Sequence, residues 1–299
     1  MSLSSTRLAL IGVAVNAALV LVKGAAGILG NSAALVADAI ESGADVAGSL
    51  VTWWGLRLAG RPADADHPYG HGKWAPITAL VVAGMLVGAA VLIVIEAIRQ
   101  IITPHHSPAP FTLVVLVVVV VVKEILARIV ARRARVEGNL AVAGDAAHHR
   151  SDAITSAAAF VGILVAIIGG EGWERADDIA ALVAAGVILV NAFLLGKGAL
   201  AELLDEASHG ELEADVERLA AEVPGVVAAH KCRVRKVGAD LWADLHVHVD
   251  GAMSVRDGHA LAHRVKDHVR TAHPRVRDVL IHVEPAAPPA LSETPAPRP

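Results

Sequence analysis

Glu41 and Asp45 stand four residues apart in one apolar stretch, and His148 and Asp152 stand four apart just before another. On a helix, residues i and i+4 share a face, one turn apart. Each pair therefore sets two ligating side chains on one side of its helix. Together the pairs offer one imidazole and three carboxylates, a four-ligand set suited to a divalent first-row cation such as Zn²⁺. A charge at a bilayer centre costs about 2.5–3.5 kcal/mol on insertion scales, so such residues face a cavity or a partner. One pair alone reads as helix-end groups in water; two pairs at one spacing on separate stretches read as a shared site. Asp38 and Asp145 stand three residues before Glu41 and His148 and read as supporting or helix-entry charges.

Two further clusters carry similar chemistry. Asp64, His67 and His71 sit in the segment Asp64-Ala65-Asp66-His67-Pro68-Tyr69-Gly70-His71-Gly72-Lys73, whose Gly/Pro turns can bring them to one ion. Taken alone, this segment also reads as an ordinary polar loop with two histidines. From residue 209 onward the chain holds nine of its 15 His. His246 and His248 are two apart on an expected strand, so they share a face with Asp244 and Asp250 while Leu245, Val247 and Val249 point the other way. His230, His259, His263, His282 and Glu284 lie on neighbouring elements. A solvated His-rich face and a metal site that opens or closes a dimer both fit this pattern. Cys232 is the only cysteine, which excludes an intrachain disulfide; it reads as a small buried apolar group.

The elements that must position these residues are apolar helices. The 299 residues are 55% hydrophobic and 19% charged, with net charge −4 and mean hydropathy +0.54. Soluble domains run about 45–50% apolar and about 25% charged. Six stretches, 8–29, 33–60, 77–101, 111–130, 153–169 and 179–204, approach the roughly 20 residues that a span needs. They read as six helices, because in hydrocarbon the backbone must satisfy itself. The fifth is expected to begin earlier, within the polar stretch 139–151. Arg7 and the apolar run behind it resemble a signal peptide, but the run continues through Lys23 to Gly30 with no cleavage pattern, so a retained helix is expected. Arg57, Arg61 and Lys73 follow the second span, and Arg128, Arg132, Arg133 and Arg135 follow the fourth. The connection at 103–110 has neither Lys nor Arg, and the fifth-to-sixth connection has only Arg175. The basic loops and both termini are therefore expected in the cytoplasm.

After residue 209 the composition turns soluble. Residues 211–222 have helical spacing, 226–237 and 241–249 alternate like strands, 254–273 reads as a helix and 276–283 as a last strand. The expected architecture is an α-helical membrane protein: six transmembrane helices over 1–208, then a small α+β (αββαβ) cytoplasmic domain over 209–285. A Pro/Ala-rich tail, 286–299, is expected to be disordered.

At this point the sequence resembles the cation diffusion facilitator family of divalent-metal/proton antiporters, in its bacterial iron/zinc-type branch. The resemblance runs over nearly all of 7–285. It rests on Gly30-Asn31-Ser32 through Ala37-Asp38-Ala39-Ile40-Glu41-Ser42-Gly43-Ala44-Asp45, on Asp66-His67-Pro68-Tyr69-Gly70-His71-Gly72-Lys73, and on His148-His149-Arg150-Ser151-Asp152. It implies a transport site at Glu41, Asp45, His148 and Asp152, and a loop site at Asp64, His67 and His71. It implies a cytoplasmic site at His230, His246, His259, His282 and Glu284, a homodimer, and a Lys73–Asp205 charge pair tying the membrane region to the dimer. One departure stands out: the family usually has Asp or His where this chain has Glu41, which is one methylene longer.

The expected function is export of a divalent cation, Zn²⁺ foremost, in exchange for protons across the inner cell membrane. Metal binding needs neutral imidazole and ionised carboxylates, and an unperturbed imidazole titrates near ~6.5, so His148 can release a proton near neutral pH. Fe, Mn or Co preference and a non-transporting metal sensor are the alternatives. An enzyme is not expected, since four protein ligands leave no open position for a catalytic water and no H-E-x-x-H stands on a helix. Partners are the bilayer, metal ions and protons, and no nucleic acid.

Overall fold

The computed structural model describes residues 5–103, 107–137, 140–170, 172–206, 210–238 and 240–286; within the helices, the side chains of 5–13, 130, 131, 133–137 and 140–154 are outside that description. The tail beyond Ala286 also lies outside it. Six helices come first: α1 (Ser5–Leu29), α2 (Ala33–Ala59), α3 (Trp74–Ile102), α4 (Phe111–Glu137), α5 (Leu140–Gly169) and α6 (Arg175–Leu203). Then follow α7 (Gly210–Ala221), β1 (Ala228–Val237), β2 (Asp240–Val249), α8 (Val255–Ala272) and β3 (Val276–Pro285). Contacts divide the chain into two compact units, Met1–Trp54 with Thr78–Lys197, and Gly55–Ile77 with Gly198–Pro299.

In the first unit, α2 lies between two apolar clusters. Ala34 and Leu35 pack with Ala26 of α1, Leu116 of α4, and Ala159 and Ile163 of α5. Ala33 and Ala37 pack with Ala90, Ile93 and Ala97 of α3 and with Ala181, Ala185 and Ile188 of α6. Large apolar side chains on these helices point outward, among them Leu92, Ile95, Phe193 and Leu194. Outward Leu, Ile and Phe in such numbers suit a lipid solvent and not water. Among the described residues, α3 and α6 are long and apolar enough to cross a membrane, and α1 and α5 contribute shorter apolar stretches, Ala14–Leu29 and Thr155–Gly169. The ionisable residues of α2 (Asp38, Glu41, Asp45) and α4 (Lys123, Glu124, Arg128) lower the apolar character of those helices.

The start of α2 shows why its sequence is so specific. Asn31 takes a left-handed conformation, φ 52°, which Asn tolerates better than most residues. That reversal ends α1 and lets Ser32 N–H reach the Gly27 carbonyl at 3.0 Å. Ser32 caps α2, its Oγ accepting from Leu35 N–H at 3.1 Å. The same hydroxyl donates to Asp177 of α6 at 2.9 Å, and Asp177 accepts from Ala34 N–H at 3.3 Å. A carboxylate at a helix N-terminus is favoured by the exposed N–H groups and the dipole. Gly30 leaves no room for a side chain, since a Cβ there would stand 2.2 Å from Thr112 Cγ2 of α4.

The second unit holds a three-stranded sheet in order β1-β2-β3. β1 pairs antiparallel with β2, and β2 parallel with β3. Leu241, Ala243, Leu245, Val247 and Val249 of β2 face a core with Val216 and Leu219 of α7 and Leu261, Val265 and Val269 of α8. α8 is started by Ser254, whose Oγ accepts from Asp257 N–H at 3.1 Å. The sheet's other face is left for polar side chains.

The clash at Gly30 makes a stability prediction. Gly30→Ala should destabilise the protein by roughly 1–3 kcal/mol through overpacking. Gly88→Ala on α3, where a Cβ meets nothing within 4 Å, should be neutral or slightly stabilising by helix propensity. Thermal unfolding of both variants in detergent separates the two.

Candidate metal sites

Glu41 and Asp45 lie half-buried on α2, one turn apart, and Asp38 lies one turn earlier, fully buried. His148 and Asp152 fall within α5, so the helix sets them on one face by spacing; their side chains are outside the described residues. What joins α2 to α5 is described: Ser156 Oγ of α5 lies 2.9 and 3.0 Å from the two carboxylate oxygens of Asp38. Asp38 also pairs with Lys23 of α1 at 3.0 Å. Lys23 and Lys123 are both buried. The sequence reading passed over these two lysines, although ionisable groups inside apolar helices are the signal that singled out Glu41.

The loop cluster is assembled. The ligand atoms of Asp64, His67 and His71 all lie within 4.8 Å of one another. Asp64 Oδ1 accepts backbone N–H groups from Asp66 (3.1 Å) and His67 (2.7 Å), the turn its residue type favours. His67 Nδ1 stands 3.1 Å from Asp64 Oδ1 and His71 Nε2 3.5 Å from Oδ2. His71 Nδ1 lies 3.2 Å from the Pro62 carbonyl. As a donor there, Nδ1 leaves the Nε2 lone pair facing Asp64, the arrangement a ligating imidazole needs. The His67 backbone N–H, foremost, holds the Asp64 carboxyl below its ordinary range, opposed by partial burial and helped by the two imidazoles.

This loop packs on the β1–β2 turn within the same unit. The Tyr69 ring meets Trp242 edge-on at 5.7 Å, and the Arg235 guanidinium stands over Tyr69 at 5.6 Å. Lys73 reaches Asp205 Oδ1 at 2.7 Å and the Glu202 carbonyl at 2.9 Å, while Lys236 pairs with Glu202 at 2.7 Å. The Lys73–Asp205 pair implied by the family pattern is thus present within the chain.

The cytoplasmic cluster follows from strand register. His230 opposes His246 across β1–β2, and on β3 His282 and Glu284 stand beside His246 and His248. Period-2 alternation sends these side chains to the face opposite the core. Two three-residue groups result, His230–His248–Glu284 and His246–His282–Glu284, each with ligand atoms within 4.8 Å. Glu284 is shared. Its Oε1 lies 2.8 Å from His246 Nδ1 and 3.4 Å from His282 Nε2, and its Oε2 lies 3.0 Å from His248 Nε2 and 3.3 Å from His230 Nε2. His230 and His248 bring their Nε2 atoms to 3.1 Å. Ligands about 2.0–2.1 Å from a tetrahedral Zn²⁺ sit about 3.3 Å from one another, so the donor spacing fits such an ion. The hydrogen bond from His246, foremost, with those from His248 and His230, pulls the Glu284 carboxyl down to about 2 against partial desolvation.

His259 is not in either group. Its ring packs on His263 at 4.6 Å between centroids, and it lines a cavity of about 560 Å³ together with His282, Asp250, Met253 and Ser254. His248, by contrast, joins the cluster; its two-residue spacing from His246 was the available signal. Cys232 is buried, and desolvation, foremost, aided by Glu217, Glu213 and Asp244, pushes its thiol up to about 12. The thiol is therefore protonated at neutral pH.

A carboxyl held at about 2 is ionised at neutral pH, and its pairs lend stability above pH about 4.5 that is lost as the pH falls toward about 2. Metal and protons compete for these side chains, so metal affinity at these groups should weaken as the pH falls. Glu284→Gln should weaken binding by about tenfold or more without changing the slope of log Kd against pH. Calorimetry on chains carrying Asp45→Ala and Asp64→Ala, which leaves the cytoplasmic groups intact, checks both.

The sequence profile described as the cation efflux transmembrane domain matches residues 9–204, and that of the cation efflux protein cytoplasmic domain matches 209–286. The chain is 31% identical over 285 residues to the manganese efflux system protein MneP of Bacillus subtilis (strain 168), covering 94% of this chain and 96% of that protein. It is 33% identical over 268 residues to the magnetosome protein MamB of Magnetospirillum gryphiswaldense, covering 89% of each. It is 30% identical over 274 residues to the cation-efflux pump FieF of Shewanella oneidensis, covering 91% of each. A solved MamM-CTD chain is similar at 27% identity, covering 26% of this chain and 98% of that one, with a TM-score of 0.25. The profiles describe a helical transmembrane domain followed by a cytoplasmic domain, the part in which the small sheet lies. A chain matched so nearly end to end, with ligand clusters of imidazole and carboxylate, belongs to the cation diffusion facilitator family, whose members are divalent-metal efflux transporters and not enzymes.

Proposed function

We propose that this protein exports Zn²⁺, or a similar first-row divalent cation, from the cytoplasm in exchange for protons by alternating access. The observation that carries the reading is the repeated donor set. Imidazole with carboxylate recurs in the loop group and in both sheet groups, and Glu41 and Asp45 stand with Asp38 on the helix bonded to α5. Mixed N/O donors of this kind suit first-row divalent ions. Glu41, Asp45, His148 and Asp152 form the transport site; metal and protons compete for these four side chains. A lower pH on the outer side favours protonation and release, and a higher pH inside favours loading.

The six helices α1–α6 are six membrane spans of a domain covering 1–208. The cytoplasmic αββαβ domain covers 209–285, with a tail at 286–299. Both termini face the cytoplasm of the inner membrane, and the protein works as a homodimer through its cytoplasmic domain. The loop residues Asp64, His67 and His71 and the sheet residues His230, His246, His282 and Glu284 are secondary metal sites, with His259 at the rim of the adjoining cavity.

Manganese transport is the second reading. It is favoured by the name of the relative MneP and by Glu41, which adds carboxylate where harder ions prefer oxygen. Proteoliposomes with an imposed pH gradient distinguish the readings: Zn²⁺ accumulation should exceed Mn²⁺ accumulation, and Asp45→Ala or Asp152→Ala should abolish both. Transport that survives both substitutions removes the proposed site. A protein that binds metal and moves none is the sensor instead.

A further inference from the structure

The first unit contains a second set of buried charges beside the proposed ligands. Lys23 of α1 is fully buried, and its ammonium reaches Asp38 Oδ2 at 3.0 Å, the Asp38 carbonyl at 3.0 Å and Ser42 Oγ at 2.6 Å. Lys123 of α4, 1% exposed, donates to the same Ser42 hydroxyl at 3.3 Å. Ser156 of α5, also buried, donates to the Asp38 carboxylate. Four helices, α1, α2, α4 and α5, thus meet at one polar knot. Toward α3 and α6, α2 packs Ala33 and Ala37 against Ala and Ile side chains, and at its start Ser32 and Ala34 bond Asp177 of α6.

The knot stands close to both ligand pairs. Ser42 is next to Glu41, and Asp38, Glu41, Ser42 and Asp45 fall at the 3-and-4 spacing of a single helix stripe. Ser156 follows Asp152 by four residues, about one 5.4 Å turn. The Asp38–Ser156 bond therefore bridges the two helices that carry the ligands, one turn from each pair. A buried charge network is costly when incomplete, so it has few alternative arrangements and fixes the spacing of the helices it joins.

We propose that Asp38, held by Lys23 and bonded to Ser156, is a positioning residue that sets the separation of α2 and α5, and through it the geometry in which Glu41, Asp45, His148 and Asp152 grip the cation. This rests on the transport-site reading above. Ser156→Ala removes the inter-helix bond and leaves the Lys23–Asp38 pair intact, and Ser156→Thr keeps a hydroxyl. The loss of one hydrogen bond to a charged group should raise the KM for metal by about tenfold at nearly unchanged maximal rate. Ser156→Thr should restore it.

Transport in proteoliposomes gives KM and maximal rate. Spin labels at two exposed positions, Leu50→Cys on α2 and Val161→Cys on α5, report the helix separation; Cys232 is buried and protonated. The distance distribution should broaden in Ser156→Ala and in Asp38→Asn and return to normal in Ser156→Thr. Should Asp38→Asn fail to fold, Ser156→Ala carries the test. A wild-type KM in Ser156→Ala, or an unchanged helix separation, overturns the proposal. Asp45→Ala is measured alongside. If that variant transports normally, the transport-site reading fails; if it is silent while Ser156→Ala keeps its wild-type KM, the present inference alone fails.

Discussion

A carboxylate inside an apolar helix bundle is tolerated only where a cation or a set of donors stands against it. Asp38 meets that condition with Lys23 and Ser156. Glu41 and Asp45 follow it on the same helix, three and seven residues on, in half-buried positions. The fold of the first unit can be understood from this constraint. α2 must carry acids that no hydrocarbon accepts, so its neighbours supply the compensation: ammonium groups from α1 and α4, a hydroxyl from α5, and at its N-terminus the reversed case, where exposed N–H groups are met by Asp177 of α6. Sequence sets the charges, burial makes them need partners, and the partners dictate which helices are neighbours.

In the second unit the corresponding constraint is register. A slip of one residue in β2 would send His246 and His248 into the core and Leu245 and Val247 into solvent. The buried Leu245, Val247 and Val249 prevent it. The apolar pattern of the strand thus fixes the polar cluster on its other face, and β3, parallel to β2, delivers Glu284 beside His248 and His282 beside His246. Sharing one carboxylate makes the two groups interdependent. Each has one oxygen of Glu284, so charge placed on either side is felt by the other at hydrogen-bond range.

Much of this was legible in the residues. The six apolar stretches and the αββαβ order can be read from periodicity, because hydrophobic spacing reports which solvent each face meets. The early start of α5 followed from its polar first turns. The cluster at Asp64, His67 and His71 was legible because Gly and Pro confine a short loop. His248 was harder, since membership in the cluster depends on a strand, β3, that is distant in sequence and parallel. Lys23 and Lys123 were harder still: a lysine's long stem commonly carries its ammonium to the interface, and only packing reveals that these two turn inward. The Asp38–Ser156 bond, which joins α2 to α5, could not be read from spacing either, because it depends on which helices are neighbours.

Both sides of α2 carry apolar packing, and they differ in where the polar bonds fall along the helix. Toward α1, α4 and α5 lie directional bonds among charged and hydroxyl groups, whose energy falls steeply with misalignment. Toward α3 and α6 lie Ala33 and Ala37 against Ala90, Ile93, Ala97, Ala181, Ala185 and Ile188, next to the Asp177 bonds at the start of the helix. Such small apolar contacts are non-directional, and each gives up little when it shifts by a fraction of an ångström. A shift at the polar knot leaves a buried charge unpaired. The alanine contacts give up less on a small shift than the knot does, except at the start of α2, where Asp177 of α6 bonds Ser32 and Ala34 directly.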